Sequence, residues 1–230
     1  MADFAIETRL WAEGFRHVAG VDEAGRGPLA GPLVAAAVIL APGWDERVTL
    51  DDSKRLTPDQ REAAYPVIRA RALAWRAVVV PPEEIDRVNI LQATLAGMAR
   101  AVAALGVRPD WVLVDGDRLP PAESLGRCRW ECLVGGDGRS ATIAAASILA
   151  KVVRDRLMRV YGRRFPQWGF AQHKGYGTPA HLAALERYGP SPIHRRSFRW
   201  GGRAWADRER PTGAAPEPVE NPSPPGTSSG

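Results

Sequence analysis

The sequence predicts an α/β protein built on a mixed β-sheet with helices packed on its faces. Three observations lead there. Five short runs read as strands, the first three rich in Val, Ile and Ala and bounded by Gly and Pro, amphipathic helical segments separate the later runs, and the first three runs can form an antiparallel meander. The 230 residues, 45% apolar and 25% charged, suffice for one substantial core and exclude a disordered or fibrous protein.

In chain order, RHVAGVD (16–22), LVAAAVILA (33–41) and LAWRAVVV (73–80) read as strands, the first two close enough for a hairpin. Thr57-Pro58-Asp59-Gln60 is a capping box with proline at the first helical position, and it opens a helix that Pro66 is expected to kink or cut short. Residues 89–105 carry apolar side chains at helical spacing and end at Gly106. WVLVD (111–115) and CRWECLV (128–134) are the last two strands. Ile143, Ala146, Ala150, Val153, Leu157 and Val160 recur at three and four, which predicts a helix over 141–160. The expected order is β-β-β-α-β-β-α, followed by a basic, aromatic, largely helical end. Cys128 and Cys132 share one strand, where i and i+4 lie roughly 13 Å apart, so they cannot bridge and no zinc site is indicated.

The charge points to nucleic acid. The formal net charge is +5, and residues 161–203 hold eight bases against one acid, Glu186, together with eight of the 17 aromatics. Cations for phosphates interleaved with rings for sugars and bases would suit a nucleic-acid surface; a solvated basic face over core aromatics is the alternative. No run has the roughly 18 apolar residues of a membrane span, and the acids in MADFAIETRLWAEGF argue against a secretory signal. The expectation is a cytoplasmic protein without membrane contact. Pro211 to Gly230 holds six prolines and no aromatic, which predicts disorder.

Acids gather at strand ends. Asp22 and Glu23 close the first strand and run into Gly25-Arg26-Gly27; Asp115 ends WVLVD; Asp137 follows the fifth strand and precedes the long helix, whose positive end favours an anion. Acids so crowded repel one another unless a metal holds them, and an all-oxygen set suits magnesium or manganese. Two such ions about 3.5–4 Å apart are the usual apparatus for attack on a phosphodiester. Other acids take plainer readings. A pair with Arg159 accounts for Asp155, solvated turns for Asp51 and Asp52, and the first turn of a short helix for Asp86. His17 reads as structural and His181 as helical, while His173 and His194 sit where a phosphate contact is conceivable.

Seven segments carry a resemblance: VDEAGRGPLAGP (21–32), DDSKRLT (51–57), NILQAT (89–94), VLVDG (112–116), GDGRSATIAAASILAKVVRD (136–155), HKGYGT (173–178) and SPIHRRSF (191–198). Collinear from about residue 15 to 200, they resemble bacterial ribonuclease HII, of the type 2 ribonuclease H family. The resemblance implies a ribonuclease H-like fold, a five-stranded mixed sheet flanked by helices with a C-terminal helical extension. The catalytic core would span 1–160, the extension 161–205 and the disordered tail 206–230. It implies an endoribonuclease that cuts the RNA of RNA–DNA hybrids, and 5′ of single ribonucleotides in duplex DNA during ribonucleotide excision repair; nothing in the sequence suggests more than a monomer. Two Mg2+ or Mn2+ ions would be held by Asp22, Glu23, Asp115 and Asp137, which are also its catalytic residues. Gly25, Arg26 and Gly27 would read the ribose 2′-hydroxyl, Tyr176 would pack on the following sugar, Lys54 would contact a phosphate, and Lys151 would be structural. A DNA-only nuclease has no use for a 2′-hydroxyl reader, and a mere binding module gains nothing from crowded acids.

Overall fold

The computed structural model describes residues 2–44, 50–124, 126 and 128–200. Five strands form one sheet: β1 (Val18–Ala24), β2 (Leu33–Ile39), β3 (Ala74–Val80), β4 (Trp111–Asp115) and β5 (Arg129–Leu133), in the order β3-β2-β1-β4-β5. β1 pairs antiparallel with β2 and β2 with β3, whereas β1–β4 and β4–β5 are parallel. The expected meander and mixed sheet are therefore present. The helices are α1 (Ala5–Ala12), α2 (Pro58–Arg71), α3 (Pro82–Val88), α4 (Ile90–Ala103), α5 (Ala141–Arg164), α6 (Phe170–His173) and α7 (Pro179–Tyr188). The expected order omitted α2, which lies between β2 and β3, and did not include α1.

Alternation along the central strands divides the core. Val34, Ala36 and Val38 face α2 and α5, while Leu33, Ala35, Ala37 and Ile39 face α4. Gly20 of β1 lets α5 approach closely, because a Cβ there would lie 2.2 Å from the Thr142 carbonyl carbon. The capping box at Thr57 forms as expected, with Gln60 N–H donating to Thr57 Oγ1 at 3.2 Å and Thr57 N–H to Gln60 Oε1 at 2.7 Å. Pro66 does not end its helix, which continues to Arg71. The ring stands on the exposed face, where water can satisfy the Glu62 carbonyl that loses its helical donor.

Two links tie the ends of the chain to this frame. Glu7 of α1, fully buried, accepts from Ser140 Oγ at 2.6 Å, Thr142 N–H at 2.9 Å and Thr142 Oγ1 at 2.8 Å, so a carboxylate from the first helix caps the N-terminus of α5. At the other end α5 runs past residue 160, and the following segment packs Phe170 and Ile193 against Ala30 and Met158. Most aromatics of this end form its own core: Phe170 and Trp200 are buried, and Trp168 stacks on Phe170 with ring centroids 6.3 Å apart. They do not form a row of exposed rings. Residues 201–230, including the expected tail, lie outside the described residues. Cys128 and Cys132 are unbridged.

Candidate active site

Asp22 and Glu23 lie near the end of β1, paired opposite Ala36 and Ala35, because the strand runs to Ala24, two residues further than the sequence predicts. The chain leaves the sheet at Gly25, whose φ of +101° an L side chain rarely adopts. Asp115 ends β4, and its Oδ1 accepts from the Gly136 N–H at 2.7 Å, which pins the start of the 3-10 turn Gly136–Gly138 that carries Asp137. Three strand ends thus deliver Asp22, Asp115 and Asp137 to one place, where one carboxylate oxygen from each lies within 4.8 Å of the others. Glu23 lines the same cleft, together with Gly25, Arg26, Gly27, Lys54 and Tyr176. All nine residues picked out from the sequence lie in or at the edge of this one site.

Burial and mutual repulsion act on the acids together. Burial, then Glu23 and Asp115, push the Asp22 carboxyl well above the usual range. Glu23 is raised by burial although Arg26 opposes it, and Asp137 is raised by burial, Asp115 and Asp52. Such a set lacks positive charge, and its hard oxygen donors fit a divalent cation of the magnesium or manganese kind. Lys54 is the nearest cation, 3.5 Å from Asp137 Oδ2 and 3.7 Å from Asp52 Oδ1. Its loop is held by Arg61, which donates to the carbonyls of Ser53 and Leu56, and by Ser147 Oγ, 2.9 Å from Ser53 Oγ.

Several residues depart from expectation. Asp52 is no plain turn acid: it stands against Asp137 and Lys54, and although burial opposes it, the Lys54 N–H and ammonium hold its pKa low. Asp155 pairs with Lys151 at 2.9 Å and approaches Arg61 at 4.0 Å, while Arg159 instead binds Glu62. Lys151, paired with Asp155, also borders the cleft. Asp86 receives the N–H groups of Arg196 and Ser197 and so fastens the C-terminal segment to α3. His194 contacts no surface on which a phosphate could lie; it is buried and accepts from the Ser191 N–H at 2.8 Å. Glu7 and Asp52 are the residues that sequence reasoning missed. A lone acid in an N-terminal segment gives no signal, and Asp52 could have been suspected only from its neighbour Lys54.

A five-stranded mixed sheet with carboxylates gathered at the ends of its central strands defines a metal-dependent nuclease of the ribonuclease H-like class. Residues 19–200 match the family profile described as Ribonuclease HII. Ribonuclease HII of Pelotomaculum thermopropionicum is 54% identical over 197 residues, covering 85% of this chain and 73% of the relative. That of Dechloromonas aromatica is 57% identical over 183 residues, covering 79% and 90%. The solved ribonuclease H2 of Pyrococcus horikoshii superposes with a TM-score of 0.66 at 29% identity, over 79% of this chain and 93% of that one. An Archaeoglobus fulgidus ribonuclease HII, solved in complex with PCNA, gives a TM-score of 0.68 at 25% identity, over 84% and 100%. The chain belongs to the ribonuclease HII family and is a metal-dependent endoribonuclease acting on RNA–DNA hybrids.

Proposed function

We propose that the protein cuts on the 5′ side of ribonucleotides, including single ones embedded in duplex DNA, leaving 3′-hydroxyl and 5′-phosphate ends. The observation that carries this reading is the pairing, in one cleft, of the three-acid cluster with the Gly25-Arg26-Gly27 loop and Tyr176. Asp22, Glu23, Asp115 and Asp137 would hold two Mg2+ or Mn2+ ions, which when bound supply a water nucleophile and neutralise charge at the leaving 3′-oxygen. The carboxylates set where those ions sit, and Asp115 is itself fixed by the Gly136 N–H.

Substrate selection falls to the other wall of the cleft. A Cβ on Gly27 would meet only the Tyr176 ring edge, at 3.9 Å, so the missing side chain leaves room between loop and ring. A ribose whose 2′-hydroxyl meets the loop N–H groups suits that gap, with Tyr176, 43% exposed, packed on the next deoxyribose. Lys54 has its ammonium at the acid cluster and 78% of its side chain exposed, which suits a substrate phosphate. The chain acts as a monomer, and the basic surface of 161–200 adds phosphate affinity. Among the described residues no helix is long and apolar enough to cross a membrane.

The deciding experiment offers one ribonucleotide in duplex DNA, an RNA–DNA hybrid and an all-deoxy duplex, with Mg2+, Mn2+ or EDTA. Metal-dependent cleavage of the first two alone is expected, with a single cut 5′ of the lone ribonucleotide. Cleavage of the all-deoxy duplex at a comparable rate would remove the ribose-reading role. Tyr176→Ala should reduce cutting at the lone ribonucleotide far more than within a long RNA tract; an unchanged ratio would take the junction away from Tyr176.

A further inference from the structure

Arg195 is fully buried, and its guanidinium is directed at the loop that leaves β1. Nη2 donates to the Gly25 carbonyl at 2.6 Å, Nη1 to the Arg26 carbonyl at 2.9 Å and Nε to the Gly31 carbonyl at 2.9 Å. The residue does not line the cleft. A trans peptide carries its C=O and the next N–H on opposite sides of one rigid plane. Fixing the carbonyl of Gly25 therefore fixes the N–H of Arg26, and fixing that of Arg26 fixes the N–H of Gly27. Both N–H groups are turned away from the buried guanidinium, and the φ of +101° at Gly25 turns the chain out of the sheet just ahead of them. Successive N–H groups on one side of a turn form a concavity that binds oxygen.

We propose that Arg195 is the positioning residue for ribose recognition: its fork holds two consecutive carbonyls on one side, so that the N–H groups of Arg26 and Gly27 are presented together to a substrate hydroxyl. This rests on the reading of residues 25–27 as the ribose-binding loop. A planar fork can hold two carbonyls at once, whereas an ammonium is a point donor without that geometry. Arg154 completes the support from α5. It donates to the carbonyls of Pro32 at 2.9 Å and Lys174 at 3.0 Å, and its guanidinium lies 5.8 Å from the Tyr176 ring centre. The two halves of the reader thus hang from two arginines outside the catalytic acids.

The test uses the full chain carrying Asp115→Asn to suppress cutting, and compares affinity for a duplex with one ribonucleotide against the same duplex all-deoxy. Arg195→Lys keeps the charge and should keep affinity for the all-deoxy duplex within about twofold. It should lower the preference for the ribonucleotide about tenfold, the loss expected for one well-placed hydrogen bond. In the active enzyme the same substitution should lower kcat at a lone ribonucleotide more than it raises KM. Arg195→Gln, which keeps one donor group, should show the same loss. Retention of the full preference in either folded variant overturns the proposal, as does loss of cooperative melting in both, which would make Arg195 a folding residue. Gly27→Ala separates the two levels: if it leaves the preference intact, the loop is not the reader and the underlying reading fails, whatever Arg195 does.

Discussion

The ammonium of Lys54 lies 3.5 Å from Asp137 and 3.7 Å from Asp52, so one exposed lysine bridges an acid at the N-terminal approach of α5 and an acid on the loop before α2. Burial works against its charge, yet Asp137, Asp52 and Asp22 outweigh it and raise its pKa. The lysine is thus held at the cluster as a counter-charge before any substrate arrives. Lys54→Ala should raise KM for ribonucleotide-containing duplex about tenfold, the scale of one charge-assisted phosphate contact. It should leave divalent-ion affinity unchanged or tighter, because a competing cation is gone. Titration calorimetry with Mn2+ and steady-state kinetics check the two halves; weaker ion binding would contradict the counter-charge role.

Asp115→Asn should lower turnover by several orders of magnitude, because ion position and charge neutralisation are lost together. It should also stabilise the metal-free protein. Asp22 has a raised folded pKa, so the acids favour folding at low pH and lose that contribution as pH rises through the folded value. Above that value they repel, and neutralising Asp115 relieves Asp22. A Tm increase of about 2–4 °C without metal is expected, the scale of 1 kcal/mol for this chain length. Asp155→Asn should do the reverse, lowering Tm through Lys151 and Arg61 while turnover stays within about tenfold.

The two glycines of the loop should respond differently to alanine. At Gly25 a Cβ would lie 2.1 Å from Nε of Arg154, and φ is already +101°, so Gly25→Ala should cost stability outright. At Gly27 the added atom meets nothing nearer than 3.9 Å. Gly27→Ala should therefore melt within about a degree of the parent, yet lose at least about tenfold in kcat/KM at a lone ribonucleotide. Equal melting losses in both variants would show that Gly27, too, is only a turn former.

Three histidines, His173, His181 and His194, pack ring to ring behind the Tyr176 loop. His194 accepts from the Ser191 N–H, its Nε2 lies 3.0 Å from His181 Nε2, and His181 Nδ1 lies 2.9 Å from the Tyr176 carbonyl, so the neutral tautomers chain in one direction. Burial pulls His181 to about 4 and, with His181 beside it, His194 to about 3. The unfolded chain takes up these protons near 6.5, so their contribution is complete above that pH and declines as pH falls towards 4. Each group adds up to about 1.4 kcal/mol per pH unit to the slope of unfolding free energy. His181→Gln should flatten that slope by one proton between pH 6 and 4.5 in urea titrations, and an unchanged slope would place the proton elsewhere.

Much of this site was legible because glycines follow the acids. Asp22 and Glu23 before Gly25, Asp115 before Gly116, and Asp137 between Gly136 and Gly138 each mark departure from regular structure, which is where a charged group can face a ligand. Asp155 shows the limit. Lys151 and Arg159 stand four residues to either side, and nothing local says that Glu62 will take the arginine. Arg195 reads as one more basic residue in a basic segment, and only the folded chain buries it beneath the loop.

The contact between Glu7 and Thr142 joins residues 135 apart in sequence. During synthesis the first helix has no cap to make until the start of α5 has emerged, long after β1 and β2 can pair. The turn bearing Asp137 lies directly before that capped end, so the acid cluster closes late, after much of the sheet it stands on. The basic segment 161–200 follows the start of α5 in the chain, so a nascent protein completes its cutting centre and its nucleic-acid surface together at the end of synthesis, and trimming away Glu7 would loosen the turn that carries Asp137.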